Sequence, residues 1–369
     1  MGLSDLARKA EEKINNYNLR RTKAAGWVPE IRPYRGYGTT RRLHVIGRVL
    51  MKDPNFDEEL TVNAKGQVSK VRHEAERGWR QFMTIQVGDF PIKVIIGDAE
   101  FDAFTNSNGY FDISIDDHGL DAGWQEVQIE AEGAEPVTEE VLITSEDVTV
   151  GIVSDIDDTI MVTNLPRAMH AAYNSWVKRT NNRQPVAGMQ KFFSELLDDF
   201  PDAPVFYLST GAWNTYDTLV RFIEEQGLPK GPLLLTDWGP TPTGFFRNGV
   251  EHKKVQLRNL IIDYPNIQWI LVGDNGQHDP LTYGNLAAEH PDAVAGVAIR
   301  ELTPAEHVLS HGTTASLTGP SRVNRAGVPT ISAPDGHGLL KKFLKKPFVD
   351  AGGRYRAPEP SSGDSASHG

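Results

Sequence analysis

The 369-residue chain contains no cysteine, which excludes a disulfide framework and thiol chemistry. It also lacks any apolar run approaching the roughly 20 residues that a membrane-spanning helix needs. Residues 1–16 are charged and have no apolar centre of the signal-peptide kind, and Leu6 stands where a myristoylation pattern wants Ser or Thr. Positive charge is in deficit, and a formal net charge of −11 argues against general nucleic-acid binding. Together these absences fit a cytoplasmic protein without a transmembrane segment. The length suits two domains plus tails, each domain large enough for its own core.

What is present is concentrated in Ile152-Val153-Ser154-Asp155-Ile156-Asp157-Asp158-Thr159-Ile160. A short, β-branched apolar run reads as a buried strand, and here it stops in crowded carboxylates. Such a crowd repels itself unless a positive charge sits among it. The strand end is also where an open α/β sheet binds ligands, so a divalent cation with hard oxygen ligands, Mg²⁺, resolves the conflict. The competing reading is a strand followed by an Asp-rich turn.

Three later segments bear on that choice. Pro204-Val205-Phe206-Tyr207-Leu208-Ser209-Thr210-Gly211 is a second buried run ending in hydroxyls, which serve either as donors to a phosphoryl oxygen or as the cap of the helix over 213–226. His252-Lys253-Lys254 opens a helical pattern, and a lysine there is either a neutraliser of phosphoryl charge or a solvated surface residue. Trp269-Ile270-Leu271-Val272-Gly273-Asp274-Asn275-Gly276-Gln277-His278-Asp279 is a third buried run, with two carboxylates, Asp274 and Asp279, able to turn towards one metal.

The order DxDxT, strand-Ser, Lys, GD-x4-D resembles the haloacid dehalogenase superfamily of phosphotransferases. The segment Ser154–Ile160, His252-Lys253, and Gly273-Asp274-Asn275-Gly276-Gln277-His278-Asp279-Pro280 with Tyr283 resemble more narrowly the catalytic domain of the actin-patch-associated phosphatidate phosphatase family, over roughly 148–312. Gly231-Pro232-Leu233-Leu234-Leu235 and Ile299-Arg300-Glu301 fit the same family, and Tyr34–Thr39 with Gly47–Leu50 resembles the stretch before that domain in bacterial members. The wider superfamily has Gly where this chain and this branch have Asp158, and Asn275 and Thr210-Gly211 depart from the expected pattern.

The resemblance implies a mechanism. Asp155 would attack phosphorus to give an aspartyl-phosphate, and Asp157 would act as general acid and then base. Thr159 would shape the loop and help place Asp157. Ser209 and Lys253 would hold the phosphoryl group. Mg²⁺ would be bound by Asp155, the Asp157 carbonyl, Asp274 and Asp279. It further implies a Rossmann-like parallel sheet with a small cap or none, an insertion over 164–185 being the only candidate lid. The implied substrate is phosphatidate at a membrane surface. The alternatives are a soluble phosphomonoester or phosphoprotein and, from another class, a membrane-associated scaffold that works through its β domain.

The rest of the chain reads as follows. A helix is expected over 3–17, within an N-terminal segment 1–40. Strands over 43–50, 84–87, 92–96, 110–115, 125–129 and 140–143, interrupted by a helical patch over 71–82, make 41–147 a β-sandwich-like domain or a small barrel. Thr105–Phe111 resembles the turn and strand of transthyretin-like sandwiches. From 148 to 312 strands over 149–154, 204–208, 233–236, 269–273 and 294–299 alternate with helices over 168–180, 188–200, 215–226, 254–264 and 280–290, the pattern of a parallel sheet. Residues 313–369 are expected to be largely disordered. Within them, 339–348 alternates apolar residues with Lys341, Lys342, Lys345 and Lys346. That segment either lies on an anionic membrane or packs as an arm against the core.

Overall fold

Apolar residues that alternate in the first half of the chain and run continuously in the second sort it into two sheets. The computed structural model describes residues 26–52, 85–162, 184–236, 249–276, 278–306 and 327–345, together with residues 24 and 348. The helices expected over 3–17, 71–82 and 168–180, and most of the 164–185 insertion, lie outside the described residues.

The first sheet contains β1 (Val28–Thr39), β2 (Arg42–Lys52), β3 (Ile85–Gln86), β4 (Pro91–Ile96), β5 (Ala99–Phe104), β6 (Tyr110–Asp116), β7 (Gly123–Ala131) and β8 (Val137–Thr144). Its order is β3-β2-β1-β8-β7-β4-β5, with β6 also paired to β2. Every pairing is antiparallel except β1 with β8. The pairing bears on the choice between sandwich and barrel. One edge of β2 bonds β1, and the other is shared by β6 along Arg42–Arg48 and by β3 at Leu50 and Met51. The strands therefore form one continuous mixed sheet, which surrounds a single core including Leu43, Val49, Val94, Ile129 and Ile143.

The second sheet contains β9 (Val150–Asp155), β12 (Val205–Ala212), β13 (Leu233–Thr236), β14 (Gln268–Asp274), β15 (Val294–Arg300) and β16 (Thr330–Ala333). Its order is β13-β12-β9-β14-β15-β16 and all pairs are parallel. Counted along the chain this is the doubly wound order, whose switch point falls beside its first strand, β9. The described helices are α1 (Met189–Asp199), α2 (Tyr216–Glu225), α3 (Gly249–Asp263), α4 (Asp279–Glu289) and α5 (Gly336–Lys345). α1 shows the reason they dock: Met189, Phe192, Phe193 and Leu196 recur at helical spacing and are all buried. Two short strands, β10 (Met161–Val162) and β11 (Gln184–Pro185), pair antiparallel, so the insertion between them leaves and re-enters beside the Asp157–Thr159 turn.

The expected disorder of 313–369 does not hold for residues 328–345. β16 extends the parallel sheet and α5 packs on it, with Leu339 and Phe343 buried and Phe343 edge-on to Phe192. A parallel α/β sheet sends its helices back from the strands' C-terminal edge, and α5 obeys: it starts after Ala333, level with Arg300, and Phe348 beyond its end covers Gly296 near the start of β15. The apolar side of the 339–348 segment is thus spent on the core. Lys341, Leu344 and Lys345 remain exposed, Lys342 donates to the Ser332 carbonyl, and Lys346 lies outside the described residues.

The two sheets meet through aromatic rings. Tyr34 stacks on Trp213 at 4.2 Å and Tyr37 meets Phe206 edge-on. The Arg35 backbone N–H donates to the Tyr216 hydroxyl at 2.8 Å. His44 of β2 sits between Asp112 of β6 and Asp263 at the end of α3, at 2.9 and 3.5 Å.

Candidate active site

Register brings the strand ends together. β9 and β12 pair Asp155 with Leu208, and β9 and β14 pair Ser154 with Val272. Asp155, Ser209 and Asp274 therefore emerge side by side at one edge, and α3 delivers Lys253 to the same place. Burial at that edge is nearly complete: Asp274 is 0 %, Asp155, Ser209 and Asp279 are 1 % and Lys253 is 4 % exposed.

Lys253 Nζ donates to Asp155 Oδ1 and to Asp279 Oδ1, each at 2.6 Å. The other Asp155 oxygen accepts from Thr159 Oγ1 at 3.1 Å, so both nucleophile-candidate oxygens have fixed directions. Thr159 thus serves Asp155 and not, as expected from the sequence, the placement of Asp157. The turn that returns Thr159 is tight: the Ile156 carbonyl accepts from the N–H groups of Thr159, Ile160 and Met161 at 3.1–3.3 Å. Asp158 stands in the left-handed region, φ +58°, which explains physically why a glycine suits this position.

Ser209 Oγ donates to Asp157 Oδ2 at 3.1 Å and accepts from the Gly211 N–H at 2.9 Å. It does not cap a helix: a 3₁₀ turn (Trp213–Thr215) intervenes before α2, and neither start has a side-chain cap. Asp274 Oδ1 accepts from the Gly276 N–H at 2.6 Å. Gly273 has no room for a side chain, since a Cβ there would lie 2.6 Å from Asp279 Oδ2. Asn275 fastens the neighbouring loop, accepting from the Leu302 N–H at 2.8 Å.

One oxygen from each of Asp155, Asp274 and Asp279 falls within 4.8 Å of the others. Three buried carboxylates face one ammonium, and Asp279 Oδ2 has no hydrogen-bond donor. A hard-oxygen set with surplus negative charge fits a divalent cation of the Mg²⁺ kind. The Asp157 carboxylate is turned to Ser209 and is outside this group, which leaves its backbone carbonyl as the ligand that the resemblance implies. Burial, reinforced by Asp279 and Asp157, pushes the Asp155 carboxyl up to about 8 against the pull of Lys253. Burial and the charges of Asp279 and Asp155 push Asp274 well above the ordinary carboxylate range. Lys253 moves up in spite of burial, because Asp155 and Asp279 favour its charged form. A bound cation would return both carboxyls towards ionisation.

Sequence reasoning gave Arg300 no role beyond fitting a family stretch. Buried at the end of β15, it donates through Nη1 to the Asp158 carbonyl at 2.8 Å. The available signal was a charged residue closing an apolar strand at the edge where ligands bind.

Residues 150–301 match the family described as "Phosphatidate phosphatase APP1, catalytic domain". Phosphatidate phosphatase APP1 of Saccharomyces cerevisiae is 27 % identical over 152 residues, 41 % of this chain and 26 % of that protein. An uncharacterised protein of Schizosaccharomyces pombe is 26 % identical over 257 residues, 67 % of this chain and 42 % of that protein. The chain thus spans less than half the length of these curated relatives. A carbohydrate acetylesterase from Xanthomonas citri aligns over 82 % of this chain and 69 % of its own, at 8 % identity and a TM-score of 0.26, too low to bear on the fold. By the family match, and by the yeast relative that covers the same length of chain, residues 150–301 are similar to the APP1 phosphatidate phosphatase catalytic domain.

Proposed function

We propose that this chain is a Mg²⁺-dependent phosphomonoester hydrolase of haloacid dehalogenase type, with phosphatidate as its substrate and diacylglycerol and phosphate as its products. The observation that carries the reading is Asp155 at the end of the central strand, one oxygen on Lys253 and the other on Thr159, beside Asp274 and Asp279. The doubly wound strand order and the family match support it. In this reading the phosphatase domain begins near 148, follows a β-rich domain over 41–147, and includes the β16–α5 segment.

Asp155 attacks phosphorus through one carboxylate oxygen; the bond from phosphorus to the leaving alkoxide breaks, and Asp157 passes its proton to that oxygen. Asp157 then takes a proton from water as the water oxygen attacks the aspartyl-phosphate, which frees Asp155 and phosphate. Ser209, whose only proton now rests on Asp157, turns to the phosphoryl group when substrate arrives. Lys253 keeps its charge against the phosphoryl oxygens. Asp155, Asp274 and Asp279, with the Asp157 carbonyl, would hold Mg²⁺, which would supply further positive charge where phosphoryl transfer develops negative charge.

Peripheral contact with an anionic membrane through Lys341, Lys342, Lys345 and Lys346 enters this reading only as electrostatic attraction, because Leu339 and Phe343 face the core. No helix among the described residues is long and apolar enough to cross a membrane.

The test is phosphate release from phosphatidate in mixed micelles with Mg²⁺, beside Asp155→Asn, a chelator and a soluble phosphomonoester. Lipid activity that disappears in the variant and with chelator supports the reading. Activity on the soluble ester alone would replace the substrate but keep the mechanism. Silence on both, with an unchanged partner interaction in Asp155→Asn, would favour the scaffold.

A further inference from the structure

Arg300 grips three separate pieces of chain. Nη1 donates to the Asp158 carbonyl at 2.8 Å, Nη2 to Glu306 Oε1 at 2.5 Å, and Nε to the Pro334 carbonyl at 3.2 Å. Only a planar fork with several donors in fixed directions can do this; an ammonium on a flexible stem cannot. Glu306 is itself anchored, accepting from the Thr303 N–H at 2.8 Å.

The first of these contacts falls on the most constrained peptide of the turn. A left-handed non-glycine residue costs roughly 1–2 kcal/mol, and something must hold it. At Asp158 the N–H donates to the Met161 carbonyl at 2.7 Å and the C=O accepts from Arg300, so the peptide units on both sides of the residue are held. The residue immediately before it is Asp157, whose carboxylate meets Ser209 at 3.1 Å.

We infer that Arg300 is a positioning residue for the reaction: by fixing the Asp158 carbonyl it aims the Asp157 side chain, and through Pro334 it ties that aim to the folding of β16 and α5. The inference rests on the reading of Asp157 as general acid and base given above. Its chemical signature follows from the first step. The proton that Asp157 gives to the departing oxygen is indispensable for an aliphatic alkoxide and nearly irrelevant for p-nitrophenolate, which leaves stably as an anion. A misaimed Asp157 therefore slows aspartyl-phosphate formation from alkyl esters and spares it from acidic aryl esters, whereas general loosening slows it from both; hydrolysis of the shared intermediate is slowed alike for every ester.

The experiment measures kcat and KM of the full chain with Mg²⁺ on alkyl and aryl phosphomonoesters of graded leaving-group acidity, for wild type, Arg300→Met, Arg300→Lys and Asp157→Asn. Arg300→Met should lose roughly 10–100-fold in kcat/KM, which reports aspartyl-phosphate formation, on alkyl esters and at most about 3-fold on p-nitrophenyl phosphate, while kcat also carries the loss of the base step common to all esters. Asp157→Asn should show the same trend more steeply. Should the methionine variant fail to fold, Arg300→Lys, which keeps charge and stem, carries the test with an intermediate slope. Equal losses of kcat/KM across the series, or a fallen melting temperature with wild-type kinetics, would overturn the inference while leaving the acid/base reading intact. No leaving-group dependence in Asp157→Asn would remove that reading and the inference together.

Discussion

Replacing Lys253 by methionine would keep the apolar stem and remove the charge that two buried carboxylates share. Lys253 Nζ lies 2.6 Å from Asp155 and from Asp279, and all three side chains are at most 4 % exposed. Removing one partner of such an ion pair strands the other and costs about 3–5 kcal/mol. At roughly 2–4 °C per kcal/mol for a domain of this size, the melting temperature falls by about 6–20 °C. The deficit has a predictable pH dependence. Asp155 titrates at about 8 even with Lys253 drawing it down, far above its unfolded value near 3.8. A carboxyl raised on folding supports the fold below its unfolded pKa and withdraws that support as pH rises through the folded value. Without Lys253 the folded value moves higher still, so wild type stops losing stability near pH 8 while the variant continues to lose it. Thermal melts in chelator from about pH 5 to 9.5 should therefore show a near-constant deficit up to about pH 8 that widens beyond it. A variant melting within about 2 °C of wild type, or a deficit that narrows above pH 8, would refute the assignment of Lys253 as the charge partner of Asp155.

Substitutions at four further positions probe separate parts of the molecule. Burial opposes the His44 charge, but Asp112 and Asp263 override it and raise the ring to about 9; the stability it gives is full below about 6.5 and lost as pH rises through 9, so denaturant midpoints of His44→Gln should lack the decline that wild type shows across that window. Phe343→Ala should cost about 3–5 kcal/mol in thermal melts because the ring is 1 % exposed and packs on Phe192, whereas a detached amphipathic tail would leave the melt unchanged. Gly273→Ala forces a methyl to 2.6 Å from Asp279 Oδ2 and 2.7 Å from the Tyr283 ring, so Mg²⁺ titration followed by melting should show weakened binding. Asp158→Gly should melt at or above the wild-type temperature and Asp158→Ala about 1 kcal/mol below it, since φ +58° suits glycine.

How much of the fold could be read from the chain depended on whether a strand's pattern was local. β9, β12, β14 and β15 are buried on both faces, so each appears as an apolar run whose ends fall within a few residues of the observed ones. β1 was missed because Pro29 and Pro33 argue against an interior strand. The register shows why both are tolerated: β1 pairs with β2 throughout, but with β8 only from Gly36 to Thr39, so the prolines fall where that second edge has no ladder to break. β5 was missed for the opposite reason, since a sheet-edge strand with burial confined to partial cover of Glu100's neighbours Phe101 and Ala103 carries little apolar signal. β16 is four residues in a Gly-, Pro- and Ser-rich stretch, and only its pairing with β15 makes it a strand.

The site separates along the same line. Asp155, Asp157 and Thr159 lie within one turn, and Ser209, Lys253, Asp274 and Asp279 each close or follow an element whose pattern is local, so residue type plus position sufficed to gather them. Direction did not follow from position. Thr159 is four residues from Asp155 and two from Asp157, yet the left-handed Asp158 reverses the chain and hands its hydroxyl to Asp155. Asp157 meets Ser209 across 52 residues of sequence, and its carboxylate is not among the three that face one another. Arg300 is further removed, 142 residues from the carbonyl it holds, and its grip on Pro334 exists only once β16 has joined the sheet. A residue that works by fixing the backbone of another leaves no motif, because any long donor at that strand end would look the same in sequence. The C-terminal strand is therefore tied to the acid/base turn: disrupting β16 should loosen the Pro334 grip on Arg300 and reproduce, in weaker form, the leaving-group dependence of Arg300→Met. A double substitution of Ile331 and Ala333 by threonine, kinetically indistinguishable from wild type while its melt is lowered, would break that link.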